Sequence, residues 1–261
     1  MIKLITSDID GTLVEDGAHD INPELLEVIL KLRDKGIQFA AASGRQWPSI
    51  EALFEPIKKK IFYLSDNGAY VGCHGRNLFL HPIDRALALE MIDEIRKTPE
   101  LEVVLSGPDT VYLETKDEEL VTWLVEGYKF AVKRVDDVTK VEDQFIKVSA
   151  FKKENVQEAV SHLQEAYKDR LKIAIAGDMW MDCMALGVNK GEAVKMLQDS
   201  LEITPEETMA YGDQLNDIEM LDQAYYSFAI GNAREEVKNA ARFQADTNVN
   251  DGVLKILKTL L

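Results

Sequence analysis

The sequence predicts an α/β protein with a doubly wound, mainly parallel sheet, into which a second, α+β domain is inserted. Three observations support this prediction. Short apolar runs alternate with helical periodicities up to Leu64, the pattern changes after Gly68, and strand–helix alternation resumes at Lys190. Strands that alternate with helices form parallel sheets, because each helix supplies the crossover that a parallel pair needs.

The segment before Gly68 reads strand, helix, strand, helix, strand. Asn22 followed by Pro23 is typical of a helix start, and Gly36 is typical of a helix end. The apolar residues between them follow helical spacing. In order, we predict an opening strand from Ile2, a helix between Asn22 and Gly36, a strand over 37–42, a helix ending near Leu53 and a strand over 61–64.

The stretch from about Pro82 to Leu186 is organised differently. A hairpin over 69–72 and 78–80, with its turn at 74–77, precedes it. Within it we predict helices over 84–97, 118–127 and 154–167, and strands over 101–106, 110–114, 144–151, 171–176 and 179–184. Helices flanked by strand pairs indicate an antiparallel sheet. We therefore divide the chain into a core of residues 1–82 and 187–261 and an inserted domain of residues 83–186.

The carboxyl-terminal part returns to the alternation of strands and helices that opens the chain. We predict a helix from Lys190 to about Leu201, a strand over 208–211, a helix through Leu221, a strand over 225–230 and a final helix from Val253. These elements complete the parallel sheet of the core.

Composition and charge restrict the possible partners. The 261 residues are 46% apolar and 29% charged, and the formal net charge is −16. Such a charge argues against binding to nucleic acid or to an anionic membrane, but a local cationic site still admits small anionic substrates. Two cysteines and four scattered histidines do not form a metal-binding pattern. Without a signal peptide's apolar core or a membrane-length apolar run, we expect a cytoplasmic protein.

Four short polar segments share one position, at the end of a predicted core strand or the start of a core helix. Ligands of open parallel sheets bind at the carboxyl ends of the strands, so segments distant in sequence can converge there. The segments combine acids with a hydroxyl, a lysine and backbone N–H groups, which suits a phosphate together with a divalent cation. They are Asp8-Ile9-Asp10-Gly11-Thr12, Ser43-Gly44, Lys190-Gly191 and Gly212-Asp213-Gln214-Leu215-Asn216-Asp217.

The acidic residues predict a nucleophile, an acid/base group and a Mg²⁺ site. If the first strand continues through both aspartates, Asp8 and Asp10 point to one side. An aspartate can attack phosphorus, so Asp8 is the candidate nucleophile, and Asp10 is the candidate general acid and base. Mg²⁺ prefers oxygen ligands, and we assign it the side chains of Asp8 and Asp213 and the backbone carbonyl of Asp10.

The remaining polar residues predict a phosphate site. Lys190 supplies positive charge for the phosphate oxygens, and the Ser43 hydroxyl, the Gly44 N–H and the Asn216 amide supply hydrogen bonds. We place Asp217 behind these residues, holding waters or Lys190.

Each segment also has a simpler interpretation when taken alone. Asp10-Gly11 can be a plain turn, Ser43-Gly44 an ordinary loop, and Lys190 a solvated charge at a helix start. Asp213 and Asp217 can be turn and capping residues. Their joint occurrence, in order and at strand ends, favours a phosphate-processing site.

Together these segments resemble the haloacid dehalogenase superfamily of phosphohydrolases, specifically the Cof-type group with a large α+β cap of the C2 type. The resemblance spans both ends of the chain and includes Asn67-Gly68-Ala69. It implies a Rossmann-like core with a cap inserted after the third strand. It also implies Mg²⁺-dependent hydrolysis of phosphate monoesters through an aspartyl-phosphate. The matching motifs are Asp8–Leu13, Ala42–Arg45, Gly187–Gly191 and Gly212–Asp217.

The leading functional hypothesis is a phosphatase of small phosphorylated metabolites, with sugar phosphates as the default substrates. A phosphomutase or phosphotransferase would use the same aspartyl-phosphate, and a non-catalytic phosphate-binding module is a further alternative. Cap side chains are expected to choose the substrate. Trp180 and Asp182 share one face of a predicted strand, although Trp180 fits a cap core as well; Asn67, at a core strand end, is the better candidate.

Overall fold

The computed structural model describes residues 1–15, 18, 20–73, 75–176 and 178–261. It divides into two compact units. The core unit comprises Met1–Phe79 and Asn189–Leu261, and the inserted unit comprises Leu80–Val188. His19 and His74 lie outside the described residues. The part of the predicted hairpin turn that contains His74 therefore lies outside them as well. The division of roles into a catalytic core and a substrate-specificity cap stays a prediction.

The core unit is built on an eight-stranded sheet with the order β14-β13-β12-β1-β2-β3-β4-β5. Neighbouring strands from β14 to β3 pair in parallel, and β4 pairs with β3 in antiparallel fashion. The sheet is therefore mainly parallel, as predicted. Its strands are β1 Leu4–Asp8, β2 Gln38–Ala42, β3 Phe62–Ser65, β4 Tyr70–Cys73, β5 Arg76–Leu80, β12 Thr208–Gly212, β13 Tyr226–Ala229 and β14 Phe243–Gln244.

Helices cover both faces of this sheet. Successive strand side chains point to opposite faces, and accordingly Leu4 and Ile5 belong to different apolar clusters. The cluster around Ile5 includes residues of α1, α2 and α9, and the cluster around Leu4 includes residues of α6, α7 and α8. These helices are α1 Pro23–Asp34, α2 Trp47–Leu53, α6 Lys190–Leu201, α7 Ile218–Asp222, α8 Glu235–Ala240 and α9 Gly252–Lys258.

Two asparagines fix the starts of long core helices. The side chain of Asn22 accepts a hydrogen bond from the Glu24 N–H at 2.9 Å, and Pro23 is the first residue of α1. The side chain of Asn189 accepts a hydrogen bond from the Glu192 N–H at 2.8 Å. Each bond satisfies a backbone donor that a helix start leaves without a partner. Lys190 consequently becomes the first residue of α6.

The inserted unit contains a six-stranded sheet with the order β10-β11-β9-β6-β7-β8. All its pairs are antiparallel except β7 with β8, which is parallel. Residues of α3 and α5 pack in one apolar cluster with the sheet, and α4 packs in another. The elements are α3 Arg85–Lys97, β6 Glu102–Ser106, β7 Val111–Leu113, α4 Glu118–Thr122, β8 Val132–Arg134, β9 Lys147–Phe151, α5 Val156–Tyr167, β10 Leu171–Ala176 and β11 Trp180–Ala185.

Among the strands and α-helices, three short elements were absent from the sequence prediction: β8, α8 and β14. They contain three, six and two residues. Such lengths give at most one or two repeats of any hydrophobic pattern, so the pattern cannot show them. The parallel pairing of β8 also corrects the expectation of a purely antiparallel sheet. None of the helices in the described ranges is long and apolar enough to cross a membrane.

The packing of α6 on α7 leads to a test of the core. A Cβ atom at Gly191 would overlap the backbone carbonyl of Glu219. We expect Gly191→Ala to lower the free energy of unfolding by about 1–3 kcal/mol, because a backbone carbonyl cannot yield as a flexible side chain does. Lys195→Ala, at an exposed position of the same helix, should change it by less than about 0.5 kcal/mol. Urea unfolding measures both, and an unchanged Gly191→Ala variant would contradict the packing.

Candidate active site

The predicted polar segments meet at one edge of the core sheet. Asp8 is the last residue of β1, Ser43 follows β2 directly, and Asp213 follows β12 directly. Because β12, β1 and β2 are adjacent and parallel, their carboxyl ends lie side by side. Lys190, at the start of α6, reaches the same edge. The core unit thus brings the four segments together.

Lys190 connects two of the aspartates. Its Nζ atom lies 2.6 Å from Asp8 Oδ1 and 2.6 Å from Asp217 Oδ1. Lys190 is only 1% exposed, and both carboxylates are buried. Asp217 is held from its other oxygen, since Oδ2 accepts the backbone N–H groups of Asp213 and Gln214, each at 2.9 Å. Asp217 therefore orients Lys190 from behind.

Three aspartates form a cluster of oxygen atoms beside this lysine. Asp8, Asp213 and Asp217 each offer a carboxylate oxygen, and these oxygens all lie within 4.8 Å of one another. Asp213 is oriented by the Thr12 hydroxyl at 2.7 Å and by the Gln214 side-chain amide at 2.9 Å. An all-oxygen donor set of this kind suits a hard divalent cation.

One atom of the cluster supports this assignment. Asp8 Oδ2 is buried, and no hydrogen-bond donor contacts it among the residues that the structure describes. A buried carboxylate oxygen without a partner is unfavourable. A cation bound beside Asp8 and Asp213 would satisfy it, so the residues present fit a divalent metal ion.

The electrostatics of the cluster also favour a bound cation. Burial raises the pKa of Asp8 well above its usual range, and the neighbouring Asp217 and Asp213 charges add to this, against the opposing effect of Lys190. Burial also raises the pKa of Asp213. For Lys190, burial by itself would lower the pKa, but the Asp217 and Asp8 carboxylates raise it overall. With three carboxylates around one ammonium group, the cluster favours additional positive charge.

The structure places the side chain of Asp10 in a different environment. β1 ends at Asp8, so the condition of a strand that continues through both aspartates is not met, and strand alternation does not govern Asp10. The Asp10 carboxylate is paired with the Arg45 guanidinium through both oxygens, with Nε 2.9 Å from Oδ2. Arg45 also donates to the backbone carbonyl of Ala18 at 3.0 Å. The role of the Asp10 carbonyl as a metal ligand stays a prediction.

Gly11 permits the turn after Asp10. Its φ angle is +81°, and a Cβ atom there would overlap the Asp213 carboxylate. Glycine alone combines this backbone conformation with so close an approach. The turn therefore brings the first segment directly against Asp213.

The remaining predicted residues lie at the end of β2 and after β12. Ser43 is buried, and its Oγ accepts the Arg45 N–H at 3.0 Å. Gly44 is exposed and precedes α2, which begins at Trp47. Asn216 is exposed, and its Nδ2 donates to Asn67 Oδ1 at 2.9 Å. Ser43 and Gly44 are neighbours in the sequence. Asn216 is linked to them through the side chain of Asn67, which lies beside Gly44.

Sequence reasoning gave no role to Thr12, Arg45 or Gln214, which orient the acidic residues. All three residues stand inside the motifs, and the positive charge of Arg45 is a visible signal for an acidic partner. Gln214 carries no comparable signal, because its contact with Asp213 depends on the turn after β12.

Comparison with known proteins identifies the family. Residues 5–257 match the family model of haloacid dehalogenase-like hydrolases. The chain is 29% identical over 261 residues to 5-amino-6-(5-phospho-D-ribitylamino)uracil phosphatase YbjI of Escherichia coli (strain K12), covering 100% of this chain and 96% of that protein. It is 29% identical over 260 residues to the phosphatase of the same name, YcsE, of Bacillus subtilis (strain 168), covering 98% and 95%.

A solved structure shows the same fold. A protein from Eubacterium rectale superposes with a TM-score of 0.93 at 38% identity, covering 100% of this chain and 99% of the other. These findings confirm the predicted fold class, the predicted family and the predicted enzyme class, a phosphatase of the haloacid dehalogenase type. With its family model matched over nearly the whole length, this chain belongs to the haloacid dehalogenase-like hydrolases.

Proposed function

We propose that this chain is a Mg²⁺-dependent phosphatase that hydrolyses small phosphorylated metabolites through an aspartyl-phosphate on Asp8. The single observation that carries the proposal is the buried Lys190, 2.6 Å from both Asp8 and Asp217 and beside Asp213. It combines a nucleophilic carboxylate, a fixed positive charge and a fitting cation site at one sheet edge.

The proposed reaction has two displacement steps. In the first, a carboxylate oxygen of Asp8 attacks phosphorus, the bond to the leaving oxygen breaks, and Asp10 donates the proton that the leaving alcohol needs. In the second, Asp10 removes a proton from water, the water oxygen attacks phosphorus, and the bond to Asp8 breaks. Phosphate leaves, and Asp8 and Asp10 return to their starting states.

The other residues bind charge. Lys190 carries its positive charge against the phosphate oxygens, and the Ser43 hydroxyl, the Gly44 N–H and the Asn216 amide provide hydrogen bonds. Mg²⁺ held by Asp8, Asp213 and the Asp10 carbonyl would screen the negative charge between carboxylate and phosphate. We place Asp217, engaged by Lys190 and two backbone N–H groups, behind the reacting groups, where it orients Lys190.

The relatives narrow the substrate class. Both relatives described above are named for a phosphate carried on a ribityl chain joined to aminouracil. We take sugar phosphates as the default substrates of this chain and polyol phosphates of the ribityl kind as the next class to test. Transfer of the phosphoryl group to an alcohol instead of water would use the same residues, and dependence of turnover on an added acceptor distinguishes the two reactions.

The first test measures phosphate release from a panel of sugar, polyol and nucleotide monoesters, with and without Mg²⁺. We expect release that depends on Mg²⁺ and is abolished for every substrate by Asp8→Asn, because an amide cannot form the aspartyl-phosphate. Asp34→Asn, an exposed residue at the end of α1, is the control and should retain full activity. A substrate that Asp8→Asn still hydrolyses would refute the mechanism.

The metal site has its own test. Saturating Mg²⁺, at about 100 times its dissociation constant, should stabilise the wild-type protein by about 2.7 kcal/mol and raise its melting temperature. Asp213→Asn should lose this response, because it removes a ligand. Without metal the variant should melt no earlier than the wild type, since one of three clustered negative charges is gone. Scanning fluorimetry measures both, and an undiminished Mg²⁺ response in the variant would contradict the assignment.

The Arg45–Asp10 pair predicts a positioning effect on the acid/base group. Asp10→Asn should lower kcat by about 10²–10⁴-fold. Arg45→Ala should lower it by about 10²-fold, because the guanidinium fixes the carboxylate that must face the leaving group. The double variant should be no slower than Asp10→Asn alone. Steady-state kinetics measure all three, and multiplicative effects would show that Arg45 acts independently of Asp10.

A further inference from the structure

The turn that follows β3 has an unusual backbone. Asp66, Asn67 and Gly68 have φ angles of 47°, 56° and 97°, so three successive residues are left-handed. Residues other than glycine seldom adopt this conformation, and aspartate and asparagine are the ones that do so most readily. Such strain persists only where the surrounding contacts determine it.

Backbone contacts tie this turn to two of the site segments. The N–H of Asp66 donates to the Arg45 carbonyl at 3.0 Å, and the N–H of Asn67 donates to the Ser43 carbonyl at 3.0 Å. On its other side the turn touches the start of α6, because a Cβ atom at Gly68 would overlap the carbonyl of Asn189. The turn thus joins the segment around Ser43 to the residue before Lys190.

The side chain of Asn67 makes the third connection. Its Oδ1 accepts the Asn216 Nδ2 at 2.9 Å. Its amide atoms lie 3.4 Å from the position that a Cβ of Gly44 would occupy. This half-buried side chain therefore contacts Asn216, which is predicted to bind phosphate, and lies beside Gly44.

We propose that Asn67 is a positioning residue for phosphate: it holds the Asn216 amide in the orientation that binds the phosphate oxygens. This inference rests on the proposed function. Asn216 is exposed, and without a partner its side chain would lose rotational freedom on binding the ligand. The bond to Asn67 Oδ1 imposes that order in advance, which strengthens binding.

This role differs from the choice of substrate that the sequence indicated for Asn67. A residue that orders the phosphate site weakens the binding of every phosphate ester equally, and of inorganic phosphate as well. A residue that reads the leaving group changes some substrates and leaves inorganic phosphate untouched. The two roles therefore have opposite signatures in a comparison of ligands.

The test uses the full chain with Mg²⁺ and the variants Asn67→Gly, Asn216→Ala and the double variant. Glycine keeps the left-handed backbone and removes only the side chain. We expect each single variant to raise KM for all substrates, and the inhibition constant of inorganic phosphate, by about three- to tenfold. The double variant should bind phosphate no more weakly than the more impaired of the two single variants, because both substitutions remove the same interaction.

Asn155→Gly is the matched control. Asn155 is also a left-handed asparagine, with a φ angle of 54°, and it lies exposed at the start of α5 in the inserted unit. It should leave KM and phosphate inhibition unchanged. Melting temperatures of all variants show whether a loss of binding comes from unfolding instead.

Three results would overturn the inference: unchanged phosphate affinity in Asn67→Gly, multiplicative losses in the double variant, or a rise in KM confined to one substrate. Titration of inorganic phosphate by calorimetry keeps the test independent of turnover. A wild-type chain without turnover would refute the proposed phosphatase while that titration still decides the role of Asn67.

Discussion

The arrangement depends on one buried ion cluster, in which Lys190 bridges Asp8 and Asp217 with Asp213 alongside. Removing charges from water is unfavourable by several kcal/mol for each ion, and only well-placed partners compensate. The sheet places the charged partners accurately, because β1 and β12 are adjacent, buried and parallel. The Asn189 cap fixes where α6 begins and therefore where the lysine starts. A small displacement of any of these elements would leave a buried charge without its partner.

Around this cluster, the residues expected to act on a substrate are each oriented by a residue from another segment. Arg45 pairs with Asp10, Thr12 contacts Asp213, and Asn67 contacts Asn216. Such cross-connections hold the side chains in place before a ligand arrives, which is how electrostatic stabilisation of a transition state becomes effective. The strained turn after β3 belongs to the same set of connections, since its backbone N–H groups contact the carbonyls of Ser43 and Arg45. We therefore regard the site as pre-organised within the core unit.

Much of the fold followed from local patterns. Helices of about three turns, such as α1 and α6, show their periodicity and caps in the sequence, and the strand–helix alternation predicted the parallel sheet. The structure and the family match confirm that class. Local patterns did not reveal β8, α8 or β14, whose two to six residues are too few to show a period. They allowed a turn at Gly11, but its close approach to Asp213 depends on the tertiary structure.

The sequence by itself determined the family, the α/β architecture and the set of chemical groups at the strand ends, since all of these depend on residue types and their order. Only the tertiary structure decided which group faces which. It paired Asp10 with Arg45, grouped Asp217 with Asp8 and Asp213, and brought Asn67 to Asn216 across 149 positions of sequence. Such contacts join residues distant along the chain, and their geometry depends on the register of neighbouring strands and the close approach of turns. Neither the strand register nor the close approach of turns can be deduced from a local sequence pattern.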